Sequence, residues 1–194
     1  MWNDNFILIF NYKKSYFMEL NKIENTFQNN KTKLQPYTTI IFLHGNSMNS
    51  CLFENQFKSQ RLSKYNLVAI DLPGHGDSEQ LEIYTIPNVV EIILENIKKN
   101  KNIILVGHSL GGHIAIQLLP YLKANCIAIC LISCCPFKIP LNTIEAYNFD
   151  ETAAYLLQDI IPESTIDKLL DLIYEVNGLT QQKIKKSILK THGK

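Results

Sequence analysis

The 194-residue sequence has a single arginine, Arg61, among its 19 basic residues. The forked N–H donors that grip phosphate groups are therefore almost missing. Net charge is missing too, since 19 Lys and Arg against 18 Asp and Glu leave +1. So even a balance gives no electrostatic footprint for nucleic acid or for a strongly acidic partner. No apolar run approaches the ~20 residues that a membrane span requires. Phe6–Phe10 is short, follows Asp4 instead of a basic stretch and lacks a small-residue cleavage site, so it does not read as a signal peptide. Met18 opens MELNKIENTF and could serve as an alternative start, which would make residues 1–17 a loose extension. The five cysteines are odd in number, which argues against a disulfide framework and for a reducing, cytoplasmic setting. Cys126, Cys130, Cys134 and Cys135 lack CxxC-type spacing and a nearby histidine. They are expected to be small, buried, inert thiols and not metal ligands.

What is present is a chain that is 46% hydrophobic, enough for a real core in one domain with at most a small insertion. Tyr37–Leu43, Leu67–Leu72, Ile103–Val106 and Ile127–Ile132 are short apolar runs that read as buried strands. Helical patterns separate them. Asn49–Leu62 carries Leu52, Phe53 and Phe57 on one stripe, and Val89, Val90, Ile93 and Ile97 mark a second helix with Pro87 in its first turn. Leu110, Ile114, Leu118 and Leu122 mark a third, which Pro120 should end or bend. The alternation predicts a parallel sheet with helices on both faces. Residues 18–36 are polar and leave room for a short edge strand. After Ser133 the pattern becomes helical, with Asn148–Ile161, Ser164–Val176 and Leu179–Lys190 as segments and Asn177-Gly178 as a helix stop. The chain thus divides into an extension (1–36), a core (37–136) and a helical cap-like segment (137–194).

The most informative stretch is Lys101–His113, KNIILVGHSLGGH. A buried strand runs into Gly107-His108-Ser109-Leu110-Gly111 and straight on into a helix. Turning a strand into a helix within so few residues strains the central residue and thrusts its side chain out at the sheet's carboxyl edge. Ser109 is thereby presented as a nucleophile. The N–H of Leu110 sits at a helix N-terminus, where it can face an oxyanion. In such sheets ligands bind beyond the strands' carboxyl ends. His44–Ser47 and Asp71–Ser78 both fall at that same edge.

These pieces resemble the α/β-hydrolase superfamily, in its capped esterase, aminopeptidase and C–C-bond hydrolase branch. The matching segments are Leu43-His44-Gly45-Asn46, Asp71-Leu72-Pro73-Gly74-His75-Gly76-Asp77-Ser78 and Gly107-His108-Ser109-Leu110-Gly111-Gly112. The likeness runs from about Tyr37 to Ser133. It implies a partial α/β-hydrolase fold: a mostly parallel sheet covered by helices, with the start of a helical cap. It implies Ser109 as nucleophile, the backbone N–H groups of Leu110 and Asn46 as the oxyanion hole, and a bracing role for the Asp71–Ser78 loop. The reaction would cleave a small ester, amide or related substrate through an acyl-enzyme, with no metal or organic cofactor.

The family's triad continues with an acid and a histidine on later strands, and the sequence stops short of them. Asp150, Asp159, Asp167 and Asp171 lie on or beside cap-like helices, where a solvated face is expected. His44, His75 and His108 belong to motif loops, His113 points along a helix, and His192 is two residues from the end. The chain is therefore expected to be truncated within its cap. The alternative function is a catalytically inactive fragment or binding module. Ile127–Ile132 would then be an uncharged, unpaired edge, predicting poor solubility or a second polypeptide that completes the sheet. Leu156, Leu157 and Leu169 would either wall the acyl pocket or pack on the core.

Overall fold

The computed structural model describes residues 18–25, 38–134, 161–171 and 178–192. Five strands form one sheet: β1 (Lys22–Asn25), β2 (Thr39–Leu43), β3 (Asn66–Ile70), β4 (Ile103–His108) and β5 (Cys126–Ile132). Their spatial order is β1-β3-β2-β4-β5. Only β1 runs antiparallel, pairing Lys22 with Ile70. The parallel register sets Ile41 between Val68 of β3 and Leu105 of β4.

The central strands β2 and β3 are apolar on both faces because both are covered. Ile41, Leu43, Val68, Ile70, Ile103 and Leu105 point into one cluster with α2 (Ile86–Ile97) and α3 (Leu110–Leu122). Alternate residues Ile40, Phe42, Leu67 and Ala69 point the other way, against Phe53 and the half-buried Leu52 and Phe57. The expected α2 stripe is buried, and Thr85 caps that helix by accepting from Asn88 N–H. Two amphipathic helices, α4 (Glu163–Asp171) and α5 (Gly178–His192), pack together around Ile166, Leu169, Leu170, Ile184 and Ile188.

Several sequence expectations need correction. The Asn49–Leu62 helix is three pieces: a 3-10 turn at Ser50–Phe53, α1 (Glu54–Lys58) and a second 3-10 turn at Gln60–Leu62. α3 runs two residues past Pro120, so the proline lies inside the helix and the helix ends within a turn of it. Gly178 begins α5, while Asn177 and the end of the preceding segment lie outside the described residues. β5 is a strand but is not buried. Ile127 is 54% exposed and Ile132 42%, because among the described residues β5 pairs only with β4. For the same reason its thiols are not sequestered: Cys130 is exposed and Cys126 half-buried. Leu169 is 2% exposed in the α4–α5 cluster, the packing role and not the pocket wall. Asn148–Ile161, with Leu156, Leu157, Asp150 and Asp159, lies outside the described residues apart from Ile161. Leu20 and β1 join the core sheet, so the extension is in part structural. Among the described residues no helix is long and apolar enough to cross a membrane.

Candidate active site

The carboxyl edge of the sheet gathers three loops. The first follows β4. Ser109 stands between β4 and α3 at φ 49°, ψ −115°, a left-handed backbone conformation that costs a non-glycine residue of order 1–3 kcal/mol. Three main-chain bonds hold it there. Its N–H donates to Ile132 O at 3.0 Å, and its carbonyl accepts from Gly112 N–H at 2.9 Å and His113 N–H at 3.2 Å. No hydrogen bond ties its hydroxyl to a described residue. Leu110 opens α3, and its N–H is among those a helix start leaves without an internal partner.

The second loop follows β2 and crosses directly over the elbow. A Cβ on Gly45 would lie 3.2 Å from Ser109 Cβ and 2.7 Å from His108 Nδ1, so only glycine lets the two backbones come so close. A Cβ on Gly111 would lie 2.1 Å from Leu43 O, the matching constraint from the other side. Gly45 to Met48 form a turn, closed by Met48 N–H on Gly45 O at 3.3 Å, with Ser47 at φ 65°. Asn46 thus sits in a tight turn whose first residue packs against Ser109. Gly112 takes the thiol-bearing Cys134: a Cβ there would lie 2.7 Å from its Sγ.

The third loop follows β3. Asp71 is 2% exposed and accepts from Ser50 N–H (2.7 Å) through Oδ1, and from Asp77 N–H (2.9 Å) and Asn21 Nδ2 (2.7 Å) through Oδ2. Burial alone would raise its pKa. The N–H donors of Asp77 and Ser50 outweigh that and hold the carboxyl below its ordinary value. The side chain is a hub for backbone donors, which fits the expected bracing role.

The histidines are mostly committed. His44 is fully buried. Its Nε2 accepts Leu72 N–H at 2.9 Å, which makes Nδ1 the donor to Gly45 O at 2.7 Å. Burial, then the neighbouring His75, pushes its pKa down to about 3, so it is neutral. His75 places Nδ1 3.0 Å from Pro73 O and Nε2 3.3 Å from Asn46 Oδ1. His108 is held neutral by burial, and its Nδ1 has no hydrogen-bond partner among the described residues. His113 is exposed. His192 closes α5. Its neighbour Thr191 lines a cavity of about 310 Å³ with Asn46, Gly74, His75, Gln80 and Tyr84.

The structure therefore brings Ser109, Leu110 and the Asn46 turn together, and no described side chain is hydrogen-bonded to Ser109 as a base. Among the described residues no cluster of His, Cys, Asp or Glu could hold a metal ion. Sequence reading missed α5 as part of this edge. Ser187 donates to Met48 O at 2.8 Å and accepts from Gly76 N–H at 3.1 Å, and Lys190 Nζ donates to Gly76 O and Ser78 O.

A strand-elbow-helix with a parallel, doubly covered sheet is the architecture of an α/β hydrolase. The model of the Alpha/beta hydrolase family matches residues 40–174, and the chain belongs to that family. It is 32% identical over 97 residues to "Putative esterase/lipase 2" of Mycoplasma pneumoniae, covering 48% of this chain and 36% of that protein. It is 39% identical over 80 residues to "Putative 2-succinyl-6-hydroxy-2,4-cyclohexadiene-1-carboxylate synthase" of Haemophilus influenzae, covering 40% and 32% respectively. The chain thus spans about a third of the length of these two relatives. Among solved structures, the N-acyl homoserine lactonase AidH superposes with a TM-score of 0.73 at 18% identity, over 92% of this chain and 64% of AidH. That likeness shows the fold.

Proposed function

We propose that the chain carries the nucleophile half of a serine hydrolase acting on esters, amides or related bonds of small molecules. The observation that carries this is Ser109 itself. It sits in a strained conformation between strand and helix, with its hydroxyl unbonded to any described residue and Gly45 against its Cβ. Ser109 Oγ would attack the carbonyl carbon and lose its proton to a base as the C–O bond forms. The N–H groups of Leu110 and Asn46 would hold the oxyanion. Collapse would expel the alcohol or amine, and water would release the acid from the acyl-enzyme. Relatives named as esterases or lipases support this substrate class.

A second reading, an inactive hydrolase fragment or binding module, is favoured by one specific observation. His44, His75 and His108 are held by burial or by other hydrogen bonds, so none of these three serves Ser109. The exposed β5 edge adds that a strand from a second polypeptide would pair there. A fluorophosphonate probe with a p-nitrophenyl ester separates the readings. Labelling at Ser109 with ester turnover supports the hydrolase, whereas folded protein that shows neither supports the inactive module. Sedimentation of a soluble monomer that melts cooperatively would count against the partner strand.

A further inference from the structure

The turn that carries Asn46 is gripped from outside the core. Met48 ends that turn, and its side chain is 8% exposed inside the α4–α5 cluster, against residues such as Ile184 and Ile188. Its carbonyl accepts from Ser187 Oγ, a hydroxyl that is itself buried to 1% exposure. One turn earlier on α5, Lys183 O accepts from Asn49 Nδ2 at 3.0 Å. Residues 183 and 187 share one helix face, so α5 holds two consecutive residues, Met48 and Asn49, at once. On the opposite side His75 meets the Asn46 side chain. The same Ser187 hydroxyl accepts Gly76 N–H, so its donor and acceptor capacity are both engaged. Lys190 also ties α5 to the edge, but only to Gly76 O and Ser78 O of the neighbouring loop.

We propose that Ser187 is a positioning residue: it fixes the Gly45–Met48 turn, and with it the Asn46 N–H, to helix α5. This rests on the reading of Asn46 as an oxyanion donor. Oxyanion stabilisation depends on donors already aimed at the developing charge, so small shifts of the turn reduce it steeply. The effect is local to the Ser187 Oγ–Met48 O bond and does not pass through the Lys190 contacts to the neighbouring loop.

Three variants of the full chain test this: Ser187→Ala, the near-isosteric weak donor Ser187→Cys, and Lys190→Met as a control that loosens α5 without touching the turn. Two readouts are followed, the fluorophosphonate labelling rate at Ser109 and the amide resonance and hydrogen exchange of Asn46. Ser187→Ala should slow labelling about tenfold, the scale of a small misplacement of a reacting group. It should also shift the Asn46 amide and speed its exchange, with Ser187→Cys moving both readouts less and in the same direction. Lys190→Met should lower the melting temperature while leaving both readouts in place. An Asn46 amide unmoved in both Ser187 variants overturns the proposal, as does a Lys190→Met chain that loses labelling as fully as Ser187→Ala. If the parent chain is not labelled at all, the hydrolase reading fails, and the Asn46 amide alone decides the role of Ser187.

Discussion

The loop after β3 and the turn after β4 leave the same edge of the sheet, one strand apart, and differ in how their polar groups are used. In the β3 loop Asp71 accepts three N–H donors, and Ser78 Oγ donates to Asp71 O while accepting Asn21 N–H. Lys190 and Ser187 take up the remaining Gly76 and Ser78 groups. In the β4 turn the backbone is equally well tied, yet Ser109 keeps a strained φ and a hydroxyl without a described partner. One segment spends its polar groups on rigidity. The other leaves a hydroxyl without a described partner against that rigid background, which is what the proposed nucleophile needs.

The strongest test of the contrast is Ser109→Ala. It should abolish fluorophosphonate labelling and cut any esterase activity by roughly a thousandfold or more, while the melting temperature stays within experimental error. Loss of fold in this variant would mean that the serine is structural, like Asp71. Next in size, Asp71→Ala should destabilise the chain by about 3–5 kcal/mol in urea unfolding, since the buried N–H groups of Ser50 and Asp77 lose their acceptor. A variant that unfolds at the parental midpoint would refute the hub role.

Acid should act through the rigid side. His44 titrates near 3 when folded and near 6.5 when unfolded, so below 6.5 the unfolded chain binds more protons. Stability from this group is present above pH 6.5 and is lost as pH falls toward 3. Asp71, whose folded pKa is depressed, adds a loss lower in the acid range as it becomes protonated. Urea midpoints should therefore fall from pH 7 to pH 4, and a His44→Gln variant, uncharged throughout, should show a shallower fall. The smallest effect belongs to the strained side. Ser109→Gly should stabilise the chain by about 1 kcal/mol, because glycine accepts φ 49° without a Cβ penalty. No gain would show that the turn stores no strain.

Sequence alone revealed a good deal of this edge. The strands are legible because alternating and continuous apolar runs report burial directly. The elbow is legible because Gly107, Ser109 and Gly111 must occur in sequence where strand meets helix. β5 reads two ways for a physical reason: its composition is that of a covered strand, while its exposure follows from its place as an edge, which the resemblance implied. Asn49–Leu62 misleads because an apolar stripe does not distinguish one helix from short turns that share its face. The contacts of α5 leave no local pattern at all. Ser187 is 139 residues from Met48 and looks like any polar residue on a basic helix. Asp71 offers a partial signal, an acid at the end of an apolar strand followed by a glycine-rich loop.

The glycine at position 112 has a practical bearing on how the chemistry is assayed. Cys134 occupies the space a side chain would take there, with its sulfur against the start of the helix that follows Ser109. It is only half-buried, so a thiol-directed reagent can reach it. An alkyl group added at that sulfur would push on the helix start and disturb the serine without touching it. Iodoacetamide or maleimide inhibition would thus imitate a cysteine enzyme. A Cys134→Ser chain that resists the reagent, yet still reacts with a fluorophosphonate, would expose the imitation.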